Sequence, residues 1–271
     1  GDSAYVVVDG PTWEEAEANA IKLGGHLASI GSDDENIFLT SNFLTEQKSV
    51  SNNAWIGLHD SEDEGVFRWS SGESIVYSNW AENEPNGPPN GHLGDEDYVH
   101  LMHLDERGAG VWNDAPLGPV DKSWTTFVEK GIAEIPYQQY GDSAYVVVDG
   151  PTWEEAEANA IELGGHLVAI NSQEENDWLF NQYGTELEKA LHIGLHEATD
   201  GNYQWSSGED LNFTNWNVGE PNGGSDGISN QYGHIYTHTG LWNDHPDSPL
   251  KGITEIKLPV PSAGDAVLEL G

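Results

Sequence analysis

Cysteine is absent from all 271 residues. No disulfide and no thiolate metal site can hold this chain, so stability must come from packed cores or bound hard ions. The absence leaves the cellular compartment open. Basic residues are scarce: 9 Lys and Arg face 47 Asp and Glu, for a formal net charge of −38. The deficit is shared evenly, with 25 acids against 6 bases in residues 1–140 and 22 against 3 in residues 141–271, so each half carries −19. Nucleic acid is excluded as a partner, because its phosphates require Lys and Arg. Docking on an anionic membrane is disfavoured for the same reason. Such a surface suits calcium-rich or salty surroundings, and solubility alone also accounts for much of it. No apolar run is long enough to span a bilayer, and no signal-peptide pattern is present.

What is present is a repeat. Gly1 to Ile21 recurs without change as Gly141 to Ile161, an offset of 140 residues. Weaker echoes follow in order. Trp55-Ile56-Gly57-Leu58-His59 answers to His192-Ile193-Gly194-Leu195-His196, and Trp69-Ser70-Ser71-Gly72-Glu73 to Trp205-Ser206-Ser207-Gly208-Glu209. Gly131 to Ile135 answers to Gly252 to Ile256. A period this long implies duplicated globular domains and not a solenoid. The expected boundaries are 1–137 for the first domain, 138–140 for a link, 141–258 for the second domain and 259–271 for a spacer or the stub of a further module. The shared start at Gly1 and Gly141 suggests a fragment of a longer, repetitive surface protein.

Within one repeat, Tyr5 to Val8 reads as a strand closed by the turn Asp9-Gly10-Pro11. Thr12 and Glu15 form a capping-box pattern, as do Ser32 and Glu35, and the same devices recur as Thr152/Glu155 and Ser172/Glu175. The first helix presents Trp13, Ala16, Ala20 and Leu23 on one face, with Glu14, Glu15 and Glu17 expected toward water. Gly24-Gly25 stops it. The second is expected to run to about Glu46, with Ile37, Phe38 and Leu44 available for the core. Strands are expected at Trp55–Leu58, Val66–Trp69, Tyr98–His103, Gly110–Trp112, Trp124–Val128 and Ile132–Ile135. A Gly/Pro/Asn-rich loop, residues 71–94, lies among them, and long loops in compact domains usually carry function. Helices followed by strands make each repeat an α+β domain.

The chemistry concentrates in two paired motifs. Glu84-Pro85-Asn86 goes with Trp112-Asn113-Asp114, and Glu220-Pro221-Asn222 with Trp242-Asn243-Asp244. Carboxylate and amide oxygens from two loops are what a hard divalent cation selects, above all calcium. Trp112, Trp242, Trp80 and Trp216 are expected in the core. Other patterns fall away. Asp60-Ser61-Glu62-Asp63-Glu64-Gly65 resembles the start of an EF-hand, but position 12 would be Ser71. It reads equally as a solvated charge run. His100/His103 and His234/His238 lack a zinc-site context and read as strand or surface histidines. Glu84 and Glu96 could imitate a glycosidase dyad, yet no partner with a raised pKa can be named. No nucleophile triad, phosphate loop or dinucleotide fingerprint is visible, so the chain is expected not to be an enzyme.

Two helices, Trp-Ile-Gly-Leu, a Trp-x-x-Gly turn, Asn79-Trp80, Glu-Pro-Asn and Trp-Asn-Asp, in that order, resemble the C-type lectin-like domain. The resemblance covers nearly all of each repeat. It departs in lacking the family's usual disulfides, as cysteine-free bacterial-type members do. It implies two tandem domains, each with two helices, antiparallel strands and a long calcium-binding loop that holds sugar directly. Carried onto the first domain, the calcium and sugar ligands would be Glu84, Asn86, Glu96, Asn113 and Asp114, with a backbone carbonyl from Asp114 and a cis peptide at Pro85. Asp60, Glu64, Glu96 and Asp97 match an auxiliary calcium site, where Gly87 replaces one usual acid. The second domain keeps Glu220, Asn222, Asn243 and Asp244. There Asp95-Glu96-Asp97-Tyr98 becomes Ser229-Asn230-Gln231-Tyr232, Asn230 remains as a carbonyl ligand and Asp226 is a compensating acid. Glu197 and Asp200 are what is left of its auxiliary site. The second domain is therefore expected to bind one calcium, more weakly. The resemblance implies mannose-type sugars (mannose, glucose, GlcNAc, fucose), bound through vicinal hydroxyls by an extracellular or cell-surface adhesin. The alternative is a calcium-ordered module of the same fold that binds protein, ice or another surface.

Overall fold

A computed structural model describes residues 3–44, 53–86, 96–103, 110–116, 128, 130–184, 190–223 and 231–258. The chain divides into two compact units that part near Pro136. The first contains β1 (Ser3–Asp9), α1 (Trp13–Lys22), β2 (His26–Leu27), α2 (Asp33–Phe43), β3 (Asn53–His59), β4 (Arg68–Trp69), β5 (Tyr98–Met102), β6 (Trp112–Ala115) and β7 (Lys130–Pro136). The second contains β8 (Gln138–Tyr140), β9 (Ser143–Val148), α3 (Trp153–Glu162), β10 (His166–Leu167), α4 (Gln173–Tyr183), β11 (Ala190–Glu197), β12 (Tyr203–Trp205), β13 (Gln231–Tyr236), β14 (Trp242–Pro246) and β15 (Gly252–Lys257). The first sheet runs β1-β7-β3-β5-β6, with β2 on β7 and β4 on β3. The second runs β8-β9-β15-β11-β13-β14, with β10 on β15 and β12 on β11. Antiparallel strands were expected; among the described residues each sheet also holds a parallel strand pairing, Trp55 opposite Gly131 and His192 opposite Gly252. Gln138–Tyr140, expected as a link, is a strand that pairs with β9 in the second sheet.

The helices start as their sequences dictate. Ser32 Oγ accepts from the Glu35 N–H at 3.1 Å, and Thr152 and Ser172 cap their helices the same way. In the second helix of each unit the Glu partner goes elsewhere than a reciprocal box requires. Glu35 accepts from the Gly31 N–H and the Tyr5 hydroxyl, and Glu175 from the Asn171 N–H and the Tyr145 hydroxyl. Each first helix docks through its tryptophan: Trp13 Nε1 donates to the Ile56 carbonyl at 2.7 Å and Trp153 Nε1 to that of Ile193 at 2.8 Å. Gly24 (φ 88°) and Gly164 (φ 83°) follow these helices in the left-handed conformation that favours glycine.

Three expectations need correcting. Glu17 does not face water; it is buried. Its carboxylate accepts from the Leu27 N–H at 2.8 Å and the Ser70 hydroxyl at 3.1 Å and meets His26 Nδ1. Periodicity alone put it outside, but the backbone N–H of β2 needs an acceptor there. Glu157 repeats the arrangement with Leu167, Ser206 and His166. Ile37 is not core but 54% exposed; the buried face of α2 is Asn36, Leu39 and Phe43. Val66 is also exposed, and β4 holds only Arg68 and Trp69. The expected end of α2 at Glu46 and most of the expected strand at Trp124–Val128 lie outside the described residues.

One buried polar contact positions the loops. Trp112, fully buried, donates through Nε1 to Asn36 Oδ1 at 2.8 Å. The same asparagine donates through Nδ2 to the Gly110 carbonyl at 2.8 Å. Trp112 then braces the long loop with its backbone: its N–H reaches the Asn79 carbonyl, and its carbonyl takes the Ala81 N–H. Trp242, Asn176, Gly240, Asn215 and Asn217 repeat this in the second unit. Trp80 and Trp216 are only partly buried and pack edge-on against Trp112 and Trp242. Asn176→Ala would leave the indole N–H unpaired in the core, while the Gly240 carbonyl keeps the Asn215 amide, at a cost of about 1–3 kcal/mol. Urea titration of the full chain should show a destabilised transition, and Asn36→Ala should act on the other unit. Two unshifted transitions would show that these bonds do not brace the fold.

Candidate functional site

Strand alternation sets out the Trp-Asn-Asp motifs. A strand was expected to end at Trp112, with the ligand oxygens in loops; all three motif residues lie in strands, β6 and β14. Trp112 and Asp114 turn inward while Asn113 between them is half-buried, and Trp242, Asn243 and Asp244 alternate likewise. The motif tryptophan thus anchors the same face that carries the acid. Asp114 and Asp244 are only 2% and 3% exposed.

The Glu-Pro-Asn loops reach these acids. The Glu84–Pro85 peptide is cis, as expected, and so is Glu220–Pro221. The Asn86 N–H donates to Asp114 Oδ1 at 3.2 Å, and the Asn222 N–H to Asp244 Oδ1 at 3.0 Å. Both motif halves therefore meet in each unit. Asn113 and Asn243 each donate Nδ2 to the carbonyl of the following aspartate, the carbonyl that the resemblance assigns to metal. A half-turn of the amide would place its oxygen there instead.

The remaining first-unit candidates are distributed as follows. Glu96 and Asp97 are half-buried just before β5. The Asp97 carbonyl accepts from the Asp60 N–H at 3.0 Å. Asp60 is 4% exposed; its Oδ2 accepts from the Gly65 N–H at 2.8 Å, and its buried Oδ1 has no hydrogen-bond partner. Glu64 is exposed on the same turn. Burial pushes the Asp60 and Glu96 carboxyls up, and the negative charge of Asp114 adds to both shifts. Among the described residues, no three His, Asp or Glu side chains form a ready-made metal cluster. Each proposed set mixes amides with acids, and residues 87–95 lie outside the described residues. Oxygen donors, desolvated acids repelled by a neighbour and one orphaned carboxylate oxygen fit a hard divalent cation, whose charge would relieve the repulsion.

The second unit differs. Glu220 Oε2 accepts from the Asn222 N–H at 3.1 Å, and its carboxyl is pushed up by burial and then by Asp244. Asp244 Oδ2 accepts from the Tyr203 hydroxyl at 2.5 Å. Asn230 and Asp226 lie outside the described residues. Glu197 is half-buried opposite Tyr203 across β11 and β12. Asp200 serves a turn, accepting from the backbone and side-chain N–H groups of Asn202, and these bonds hold its carboxyl low. Among the histidines, His100 and His234 are buried, His103 is half-buried and His238 is exposed. Burial pushes His234 down to about 4.

Sequence reasoning missed Tyr203, Asn36 and Asn176. A signal existed for the asparagines, because Glu35-Asn36 and Glu175-Asn176 match in register after each serine cap. Tyr203 stands where the first unit has Phe67, two residues before the repeated tryptophan.

Comparison with known proteins gives a consistent result. Residues 9–116 and 149–253 match the family described as the lectin C-type domain. The human C-type mannose receptor 2 is 27% identical over 252 residues, covering 87% of this chain and 16% of the receptor. The chain thus spans only a small part of that relative. An alpha-N-acetylgalactosamine-specific lectin from Patiria pectinifera is 36% identical over 110 residues, covering 39% of this chain and 61% of that lectin. Among solved structures, the cow C-type carbohydrate-recognition domain of CD23, determined in the presence of GlcNAc2Man3 oligosaccharide, is 28% identical. It matches 51% of this chain and 92% of its own with a TM-score of 0.40. With both of its halves matched, this chain belongs to the C-type lectin domain family and carries that α+β domain twice in tandem.

Proposed function

We propose that the chain is a non-enzymatic, calcium-dependent carbohydrate-binding pair that works outside the cell or on its surface, as part of an adhesin. The observation that carries this reading is the junction of Asn86 with Asp114 and of Asn222 with Asp244. It gathers the two motif halves around buried acids in both units. In the first unit Glu84, Asn86, Glu96, Asn113 and Asp114 would hold the ion, with Asp60, Glu64 and Asp97 serving an auxiliary ion. In the second, Glu220, Asn222, Asn230, Asn243 and Asp244 would hold it. Bound calcium supplies two open positions to vicinal sugar hydroxyls. The carboxylates of Glu84 and Glu96 accept from those hydroxyls, and the amides of Asn86 and Asn113 donate to them. The order acid then amide across Pro85 fixes which hydroxyl stereochemistry fits, and Glu-Pro-Asn favours the mannose type. One named relative is a mannose receptor, and another is named for N-acetylgalactosamine. Shallow single sites bind weakly, so two on one chain gain through avidity. No helix among the described residues is long and apolar enough to cross a membrane.

Calorimetry with a monosaccharide panel tests the sugar reading. The full chain should bind mannose in calcium and lose it in EDTA; binding that survives EDTA would sink the mechanism. Glu84→Gln with Asn86→Asp should weaken mannose at the first site about tenfold, by removing paired charge-assisted bonds, and admit galactose. An unchanged preference would place the sugar elsewhere.

The pH dependence follows from Asp60, Glu96 and Glu220, whose carboxyls are all raised. An acid with a raised folded value favours the fold while protonated and costs stability as pH rises through that value. Calcium requires the charged form. Its stabilising effect should therefore be largest at neutral pH and fade on acidification before ordinary carboxylates titrate, near pH 4. Melting temperatures with and without calcium across pH 4–8 check this. A calcium increment that stays constant down to pH 4 would contradict it.

A further inference from the structure

The two sites differ at one atom that the shared motifs do not reveal. Phe67 in the first unit and Tyr203 in the second occupy the same place. Phe67 meets Trp80 at a centroid distance of 4.9 Å and 61°, and Tyr203 meets Trp216 at 5.2 Å and 67°. The rings superpose in role; the tyrosine adds a hydroxyl. That hydroxyl donates to Asp244 Oδ2 at 2.5 Å, while the Asn222 N–H already holds Oδ1 at 3.0 Å. Both oxygens of the buried motif acid are thus engaged by protein donors. Gly223 closes over the pair: a Cβ there would stand 2.9 Å from the Tyr203 hydroxyl oxygen and 3.0 Å from Asp244 Oδ2. A side chain there would press on both oxygens. Phe67 has no hydroxyl to offer Asp114.

We infer that Tyr203 is an internal stand-in for the cation, a hydroxyl that holds the second unit's Asp244 in the metal-free state and lowers that site's calcium affinity relative to the first. The inference rests on the calcium reading above. A charge-assisted hydrogen bond to a buried carboxylate is among the stronger protein contacts. A cation that takes the same oxygen must share or displace it. The bond also gives the loop a metal-free anchor, so the second unit depends less on calcium for order. The site of lower affinity is then the one already assembled without the ion.

The test uses the full chain with one unit silenced. Asp114→Asn with Asp60→Asn removes a ligand from each of the two ion sites proposed for the first unit, so calcium titration reports the second unit. Tyr203→Phe in that background should tighten calcium about tenfold and lower the metal-free melting temperature of the second unit. Phe67→Tyr in an Asp244→Asn background should do the reverse in the first. Circular dichroism in the near ultraviolet checks that the aromatic packing survives. Weaker or unchanged calcium binding on Tyr203→Phe overturns the proposal, as it would if the hydroxyl supports the metal-bound form. Absence of second-unit binding with either residue also overturns it, provided the first unit binds in the Asp244→Asn chain. Absence of calcium binding in both units overturns the calcium reading itself.

Discussion

A buried tryptophan indole that has its acceptor on a neighbouring helix organises each unit. Burying the Trp112 or Trp242 ring gains a large apolar area, and pairing its N–H avoids a cost of about 1–3 kcal/mol that the buried indoles of Trp55 and Trp205 bear. Asn36 and Asn176 meet that need from the second helix, and the same amides satisfy a carbonyl in the turn just before the motif strand. The strand is thereby fixed against the helix, its acid lies two residues on, and the long loop hydrogen-bonds to the tryptophan's backbone from the other side. The candidate ion site is therefore built on a fully buried tryptophan, although the sugar it would hold lies at the surface.

Much of this was legible in the chain. The repeat, the caps, the stop at Gly24 and the two motif halves are local signals that need no tertiary context. What could not be read is where one segment answers another's backbone. Glu17 sits at a helical position that periodicity assigns to solvent, yet the unpaired N–H of Leu27 draws its carboxylate inward. Ile37 looked like core because it is apolar, but Asn36 beside it took the inward position for the sake of Trp112. The expected strand stopped at Trp112, whereas pairing with β5 and β13 keeps the following Asn and Asp extended as well. The candidate ligands were found as motifs; the contacts that arrange them, and Tyr203 among them, required the fold.

The two units show how near-identical scaffolds diverge at their loops. Their first helices differ only at Lys22 and Glu162 and their helix–strand carboxylates are the same, while the acids around the motif change in number and surroundings. The first unit concentrates desolvated carboxyls at Asp60, Glu96 and Asp114. The second exchanges part of that charge for amides and supplies a hydroxyl from an aromatic ring. Such tuning leaves the core untouched, so a duplicated domain can vary its affinity without risking its stability.

Glu17 and Glu157 have a practical consequence. Each carboxylate joins a helix, a short strand and a distant serine turn, the kind of cross-connection that other small modules make with covalent sulfur bridges. Here the clasp is held by hydrogen bonds alone. It needs no oxidant to form and offers thiol reagents nothing to cleave, so the module can mature in a reducing host as readily as in an oxidising one.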